Sequence, residues 1–150
     1  MPGLAGDPID ISVEIALETS EECGLSVCRT PDGAEETRIL YRPQQRTLFV
    51  DLTRSSLKPG KTNPAIPRDS IRVLHAPLEL PARELLMMRV IIDGSVIEVI
   101  ANERACLTAR TYPTRADARD VALVAVGGTA RLNRLDAYPL RPISRDRLTT

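Results

Sequence analysis

Two carboxylates, Asp93 and Glu98, have the residue types and the spacing that come closest to enzymatic chemistry in this chain. They stand on either side of a turn signal, and glycosidases use a pair of carboxyl groups as acid/base and nucleophile. A structural role explains both residues more simply. Aspartate favours tight turns for backbone reasons, and Glu98 belongs to a β-type run, where we expect it opposite a basic residue such as Arg89 or Arg110. We predict no catalytic residue in this chain.

Histidine and cysteine do not indicate a metal or nucleophile site. His75 is the only histidine, which excludes a cluster of histidine ligands, and no Gly-x-Ser-x-Gly motif presents a nucleophilic serine. We expect His75 at the end of a strand, with its ring hydrogen-bonded. The cysteines, Cys23, Cys28 and Cys106, are odd in number and lack metal-ligand spacing. We expect all three to be small packing residues, and we predict neither a metal nor a cofactor.

Size and charge limit the function classes. A chain of 150 residues can form one domain with a substantial core. Its 20 basic and 20 acidic residues cancel, so no field of one sign recruits nucleic acid or a membrane surface. No apolar run approaches the ~20 residues of a membrane-spanning helix, and the N-terminus lacks the pattern of a signal peptide. The cellular compartment stays open.

The stretch around the two carboxylates, residues 88–112, predicts three successive antiparallel strands. β-branched runs flank Asp93-Gly94-Ser95, where Asp-Gly tolerates the positive φ of a tight hairpin. A second reversal at residues 102–104 leads to a third run at residues 105–112. We expect this meander to place four side chains in the core: Ile91, Ile97, Val99 and Leu107.

The whole chain predicts an all-β fold. Period-two alternation and regularly spaced turn signals indicate about ten short strands and no helix, which is typical of an antiparallel β-sandwich of two packed sheets. The strands are expected at residues 9–17, 24–29, 36–41, 47–51, 71–74, 90–92, 96–100, 105–112, 121–126 and 129–138. Gly127-Gly128 is expected to close a hairpin between the last two. We predict a linker remnant at residues 1–8, the sandwich at 9–140 and a flexible tail at 141–150.

One long segment lacks strand periodicity. Residues 54–69 contain three prolines and a glycine. Long loops within compact domains are often functional or contact another domain. We therefore predict a domain-contact loop that begins with Arg54, Ser55 and Ser56.

Five segments, in the same order, resemble the C-terminal β-sandwich of glycoside hydrolase family 32, the invertases, levanases, inulinases and related β-fructosidases. They are residues 47–56 (TLFVDLTRSS), 89–102 (RVIIDGSVIEVIAN), 107–114 (LTARTYPT), 127–130 (GGTA) and 135–138 (LDAY). The family pattern has an apolar strand, Asp-x-Ser, Val-Glu-Val-Phe and Asn in the second segment, where this chain has Ile for Phe. The resemblance covers residues 9–140 and implies the same β-sandwich.

In that family, the chemistry belongs to an N-terminal β-propeller. The propeller motifs Asn-Asp-Pro and Arg-Asp-Pro do not occur here, since Arg68-Asp69-Ser70 and Arg119-Asp120-Val121 differ at the third residue. Glu22-Cys23 spells the acid/base dipeptide but falls within the sandwich, between its first two strands. The resemblance thus implies a non-catalytic module that is inactive alone. Such a module supports a missing catalytic propeller, of the parent enzyme or of another subunit, by packing or oligomerisation.

Two other functions stay open. A free-standing, lectin-like module would bind a fructose-containing carbohydrate through an exposed aromatic platform, yet aromatic residues are only 3% of the chain and none is Trp. The four aromatic residues are Tyr41, Phe49, Tyr112 and Tyr138, and we expect most of them in the core because they lie in strands. An independent hydrolase using Glu98 and Asp93 is the least favoured reading.

Overall fold

Ten strands make up most of the described chain. The computed structural model describes residues 8–57 and 72–141 of the 150-residue chain. These residues contain no α-helix, and one short 3-10 turn spans Pro43–Gln45. The strands are β1 (Ile9–Ala16), β2 (Glu22–Arg29), β3 (Thr37–Arg42), β4 (Thr47–Asp51), β5 (Val73–Pro77), β6 (Leu86–Asp93), β7 (Val96–Ala101), β8 (Ala105–Arg110), β9 (Asp120–Val126) and β10 (Arg131–Pro139). β4 has its expected bounds, and the other strands differ by a few residues.

The strands form two five-stranded sheets that pack face to face. Sheet 1 has the order β10-β1-β6-β7-β8, and sheet 2 has the order β5-β4-β3-β2-β9. All neighbouring strands are antiparallel. The predicted sandwich is confirmed, as is the meander, which is β6-β7-β8. The predicted linker and tail fall almost entirely on residues outside the described ranges.

The connection at Gly127-Gly128 is a crossover between sheets, so the predicted hairpin is wrong. β9 pairs with β2 in sheet 2, whereas β10 pairs with β1 in sheet 1. The amides of Thr19 and Ser20, in the other connection at this end, donate to the Thr129 carbonyl at 3.1 and 3.0 Å. A Cβ at Gly128 would lie 2.3 Å from the Thr19 carbonyl oxygen. Glycine is required there by the close approach of the two connections.

The core lies between the sheets and follows from strand alternation, because successive side chains point to opposite faces. Sheet 1 contributes Ile9, Ile11, Val13, Ile15, Leu86, Met88, Val90, Ile92, Ile97 and Val99. Sheet 2 contributes Cys23, Leu25, Val27, Ile39, Tyr41, Leu48 and Val50. Full burial of one aliphatic side chain contributes roughly 1.5–3 kcal/mol, so this double layer is the main source of stability.

The meander places three of its four expected core residues against the core. Ile97 and Val99 are fully buried, and Leu107 is half-buried and packs on the core. Ile91 lies on the outer face of β6, because the alternating strand buries its neighbours Val90 and Ile92. The expectation for Ile91 is wrong, since an apolar run without a polar residue does not mark which side chain faces inward.

The β6–β7 hairpin is confirmed. Asp93 is the last residue of β6 and pairs with Val96, so the central turn residues are Gly94 and Ser95. Of these two, only Gly94 has a positive φ, at 57°. Glycine at the first central position is typical of two-residue hairpins. Asp93 therefore belongs to the strand rather than to the centre of the turn.

Candidate functional site

Asp93 and Glu98 share the outer face of sheet 1 but do not form an enclosed pair. Asp93 pairs with Val96, and Glu98 pairs with Ile91, so the two carboxylates are diagonal neighbours, with Cα atoms about 7–8 Å apart in such a ladder. Both side chains are exposed. Retaining glycosidases hold their carboxyl groups about 5 Å apart around the scissile bond. This arrangement gives no support to an acid/base pair.

The expected partners of Glu98 are also wrong. Its neighbours in the register are Ile91 on β6 and Thr108 on β8. Arg89 instead forms an ion pair with Asp10 on β1, with 2.6 Å between Nη2 and Oδ2. Long arginine side chains reach diagonal and neighbouring strands, so the sequence alone does not fix their partners.

His75 and the cysteines have no catalytic setting. His75 lies in the middle of β5, not at its end, and its exposed ring centroid is 6.2 Å from that of Phe49. The thiols are free, and burial raises the pKa of both Cys23 and Cys28 to about 11. Cys106 is exposed, so the expectation that all three cysteines pack is wrong for it. No group of three or more His, Cys, Asp and Glu side chains suited to a metal ion occurs in residues 8–57 and 72–141.

Glu22, the glutamate of the acid/base dipeptide, has a structural partner. It is half-buried on β2 and accepts a hydrogen bond of 2.6 Å from Nε of Arg42 on β3. This ion pair links neighbouring strands across sheet 2. The following Cys23 faces the core, so the dipeptide is part of the sandwich structure.

In the described ranges, no helix is long and apolar enough to cross a membrane.

A buried carboxylate, Glu36, organises one end of sheet 2. Its side chain is in contact with Ser26, Arg38, Arg54 and Arg29. The Ser26 hydroxyl donates at 2.8 Å, Nε of Arg38 donates at 2.9 Å, and Nη1 of Arg54 lies 2.9 Å away. Arg29 lies further off, at 3.8 Å. Burial acts to raise the pKa of Glu36, but these hydrogen bonds and positive charges outweigh it and lower the pKa.

The adjacent Glu35 is fully buried, and its side chain binds two separate segments of the chain. Its Oε1 accepts the Leu57 amide at 2.8 Å, the Thr114 amide at 2.9 Å and the Thr114 hydroxyl at 2.5 Å. Its Oε2 accepts the Arg115 amide at 3.0 Å. Burial acts to raise the pKa of Glu35, and the hydrogen bonds from Thr114, Leu57 and Arg115 outweigh it, so the pKa is lowered. We call Glu35, Glu36 and their partners the Glu35–Glu36 cluster.

This cluster holds the start of the predicted contact loop. Arg54 binds Glu36 and also donates to the Gly33 carbonyl, while the Glu36 amide donates to the Arg54 carbonyl at 2.8 Å. The Ser55 hydroxyl donates to the Leu52 carbonyl at 2.9 Å. Ser56 follows, half-buried. Residues 58–69 of the loop lie outside the described residues. The first part of the loop is therefore fixed to the sandwich.

Sequence reasoning missed the burial of Glu35 and Glu36. Adjacent glutamates after a turn are normally solvated, since glutamate is almost never fully buried unless it is paired. Their partners come from positions such as Thr114, 79 residues along the chain, so no local pattern reveals the network. The one available signal was Arg54, the first residue of the predicted contact loop.

A second site lies on the outer face of sheet 1. A groove of about 630 Å³ there, which we call the outer groove, is lined by β1, β6, β7 and β10 and by the start of the β7–β8 turn. Its polar and aromatic residues include Ser12, Glu14, Arg89, Arg134, Asp136 and Tyr138. Met87 and Ile100 add exposed apolar surface. The groove combines an aromatic ring, apolar floor and hydrogen-bonding groups, which is the usual composition of a ligand site.

The aromatic residues differ in burial more than their strand positions indicate. Tyr41 is buried, as expected. Phe49 and Tyr112 are half-buried, and the Arg42 guanidinium lies 4.3 Å above the Phe49 ring. Tyr138 is 61% exposed, so the expectation of a core position is wrong for it. β10 is an edge strand, and Tyr138 pairs with the outward-facing Asp10.

The family is decided by a match over nearly the whole chain. The family model described as "Glycosyl hydrolases family 32 C terminal" matches residues 2–139. The chain belongs to this family. The resemblance carried by the five segments is therefore confirmed.

This family 32 C-terminal domain is similar to part of a longer plant protein and to parts of several solved structures. A fructan 1-exohydrolase of Bromus pictus is 30% identical over 116 residues, which cover 73% of this chain and 17% of that protein. The exo-inulinase of Aspergillus awamori has a TM-score of 0.77 at 20% identity, over 93% of this chain and 26% of the other. The β-fructofuranosidase of Aspergillus kawachii has a TM-score of 0.71 at 18% identity, over 95% and 27%. The structural matches show the shared sandwich fold.

The family 32 domain is a minor part of these proteins. It spans 17% of the curated relative and 26% of the exo-inulinase chain. The activities in the relatives' names belong to chains several times longer than the matched region.

Proposed function

We propose that this chain is the non-catalytic β-sandwich module of a β-fructosidase-type enzyme, and that it supports a catalytic propeller by packing or oligomerisation. The observation that carries the proposal is the family match over residues 2–139 combined with the 17% share of the fructan exohydrolase. The exposed, unenclosed positions of Asp93 and Glu98 and the ion-paired position of Glu22 also support it. On this proposal, the chain alone hydrolyses no fructoside.

The contact with the propeller is proposed to include Arg54, Ser55, Ser56 and the following Leu57. The Leu57 amide is bound by Glu35, yet its side chain is 53% exposed. An exposed apolar side chain on a backbone that is held in place is suited to a partner surface, because little backbone entropy is lost when it is buried. The Glu35–Glu36 cluster is then a support that presents this segment.

The test is reconstitution with a propeller from a related family 32 enzyme, produced without its own sandwich. Sucrose, inulin and levan hydrolysis and the Tm of the propeller are measured with and without this chain. We expect activity and a raised propeller Tm only in the mixture. Leu57→Asp should reduce both effects, whereas Leu140→Asp, at another exposed leucine, should not. Hydrolysis by the chain alone would overturn the proposal.

A free-standing carbohydrate-binding module is the second candidate. The exposure of Tyr138 favours it, because an exposed ring supplies the aromatic platform that this function requires. Binding of a carbohydrate by the chain without any propeller distinguishes this candidate from a purely supporting role.

A further inference from the structure

The register of sheet 1 places three rows of side chains, which cross neighbouring strands, in and beside the outer groove. The rows are Tyr138–Asp10–Ile91, Asp136–Ser12–Arg89–Ile100 and Arg134–Glu14–Met87. Directly opposite residues in antiparallel strands point to the same face. Each row thus joins apolar surface on the central strand β6 or on β7 to polar groups on β1 and the edge strand β10.

Both arginines of the groove form ion pairs with aspartates. Arg89 donates to both oxygens of Asp10, with Nε–Oδ1 at 3.0 Å and Nη2–Oδ2 at 2.6 Å. Arg134 donates from Nε to Oδ2 of Asp136 at 2.6 Å. Such planar pairs keep donors and acceptors in a defined orientation. A ligand would therefore meet hydrogen-bonding groups that are already positioned.

The charge of the groove selects against anions. Four carboxylates, of Asp10, Glu14, Glu103 and Asp136, stand in or beside it against only two guanidinium groups, of Arg89 and Arg134. A phosphate or a nucleic acid would be repelled at close range. An uncharged ligand with many hydroxyl groups can instead hydrogen-bond to the carboxylate oxygens and the guanidinium N–H groups together.

The dimensions fit a small extended ligand better than a protein partner. A volume of about 630 Å³ lies within the roughly 300–1,000 Å³ of small-molecule sites. Along β10, Arg134 and Tyr138 are four residues apart, or roughly 13 Å. Protein interfaces carry their charged residues at the rim and have few at the centre. On this face the charged Asp10–Arg89 pair lies on β1 and β6, away from the edges of the sheet, which is unlike a protein interface.

Tyr138 provides the aromatic end of the groove. Its ring is 61% exposed on the edge strand. A tyrosine ring offers a flat apolar face that covers C–H groups, and its hydroxyl remains available for hydrogen bonding. A sugar ring has the complementary surface, with C–H groups on one face and hydroxyls around the edge.

We propose that the outer groove binds an uncharged oligosaccharide, with one sugar ring stacked on Tyr138 and the next hydrogen-bonded by Asp136, Arg134 and Glu14. This site goes beyond the supporting role and needs no propeller. It develops the carbohydrate-binding candidate by naming the face and the ligand charge. Fructans and other neutral oligosaccharides share this chemistry, and the experiment separates them.

The test measures binding of the purified chain to short inulin-type and levan-type fructo-oligosaccharides and to maltohexaose, with an acidic oligogalacturonide as the charged comparison. Amide chemical shifts give both the affinity and the location. We expect saturable shifts from at least one neutral probe, confined to β1, β6, β10 and the adjoining end of β7 with its following turn, and none from the acidic probe. Which neutral probe binds identifies the sugar.

Variants then assign the contacts. Tyr138→Ala should weaken binding by about ten-fold, which corresponds to roughly 1.4 kcal/mol, while Tyr138→Phe keeps the ring and most of the affinity. His75→Ala, at an exposed ring on sheet 2, should leave binding unchanged. A thermal melt for each variant verifies that the fold is retained, which we expect because Tyr138 is exposed.

Three results would overturn the inference. The first is that no neutral probe at millimolar concentration changes the amide chemical shifts. The second is that Tyr138→Ala leaves the binding unchanged. The third is that the amide chemical shifts of the groove change only when a propeller is added and with no neutral probe. The last result would assign the face to a domain contact. Failure of the reconstitution experiment concerns the supporting role and leaves this inference standing.

Discussion

Replacing Glu35 by Gln should destabilise the domain far more than an isosteric change of a surface glutamate. Glu35 is fully buried and accepts hydrogen bonds only from N–H and O–H donors. If the amide oxygen of Gln takes the place of Oε1, it still accepts from Leu57 and Thr114. The NH2 group then takes the place of Oε2 and faces the Arg115 amide, which is bound at 3.0 Å in the native protein. Two hydrogen-bond donors, the NH2 group and the Arg115 amide, then face each other, and the Arg115 amide has lost its acceptor.

The magnitude follows from these bonds. A buried N–H left without an acceptor costs about 1–3 kcal/mol, and hydrogen bonds to a neutral oxygen are weaker than those to a charged one by about 1 kcal/mol. We therefore expect a loss of about 2–4 kcal/mol in the free energy of unfolding. For a chain of this size, that corresponds to roughly 5–12 °C in Tm.

The pH dependence gives a second signature. Because the folded-state pKa of Glu35 is lowered below its usual 4.5, the unfolded state binds more protons in acid. The stability from the Glu35 carboxylate is therefore complete above the unfolded-state pKa and is lost as pH falls through the folded-state pKa. The Tm difference between Glu35→Gln and the native chain should be largest near neutral pH and should shrink below about pH 4.

The assay is thermal and urea unfolding of the native chain, Glu35→Gln and the matched control Glu98→Gln at several pH values. Glu98 is exposed, and its substitution should change stability by less than about 0.5 kcal/mol. If Glu35→Gln unfolds like Glu98→Gln at pH 7, the Glu35–Glu36 cluster does not hold the loop, and the argument for a fixed contact segment is refuted.

Three further predictions test the fold. Ile97→Ala should lower the free energy of unfolding by about 2–5 kcal/mol, and Ile91→Ala should lower it clearly less, because Ile91 faces outward. Equal losses for the two variants in urea unfolding would mean that the register of β6 is wrong. Gly24→Ala should prevent folding, since its Cβ would lie 2.0 Å from a backbone carbonyl oxygen. Gly94→Ala meets nothing within 4 Å, so only the positive φ of this turn residue opposes it, at a cost of about 1–2 kcal/mol in the free energy of unfolding. Circular dichroism distinguishes the two variants. Thiol titration at pH 8 should label Cys106 rapidly and the other two cysteines only after unfolding, and labelling of all three in the native chain would contradict their burial.

The strands were predictable because they depend on local pattern. The alternation of Ile9, Ile11, Val13 and Ile15 with polar residues determines both the strand and its buried face. The run 90–92 has no such alternation, so the sequence indicated a strand but not which side of it faces the core.

The pairing of strands was less predictable because it depends on distant residues. Gly127-Gly128 has the same local signal whether it closes a hairpin or crosses between sheets, and the pairing of β9 with β2 decides between them. The family resemblance predicted the sandwich and its order of segments, but the chain's own residues give no local sign of where β10 will lie.

The candidate sites were predictable only in part. Arg54 was singled out, but Glu35 and Glu36, which hold it, were not, because the cluster joins residues far apart in the chain. Tyr138 was expected in the core because it lies in a strand. Its exposure follows from the outer face of an edge strand, which a single strand's pattern of aromatic and polar residues does not reveal.

The measurement that tests the central claim most directly is fructose release from sucrose, inulin and levan by the purified chain alone, followed over a day against a heat-denatured sample. A non-catalytic module predicts no release above the denatured control with any of the three substrates. Release that exceeds the control and is abolished by Glu98→Gln would contradict the account and would make the outer face of sheet 1 an active site.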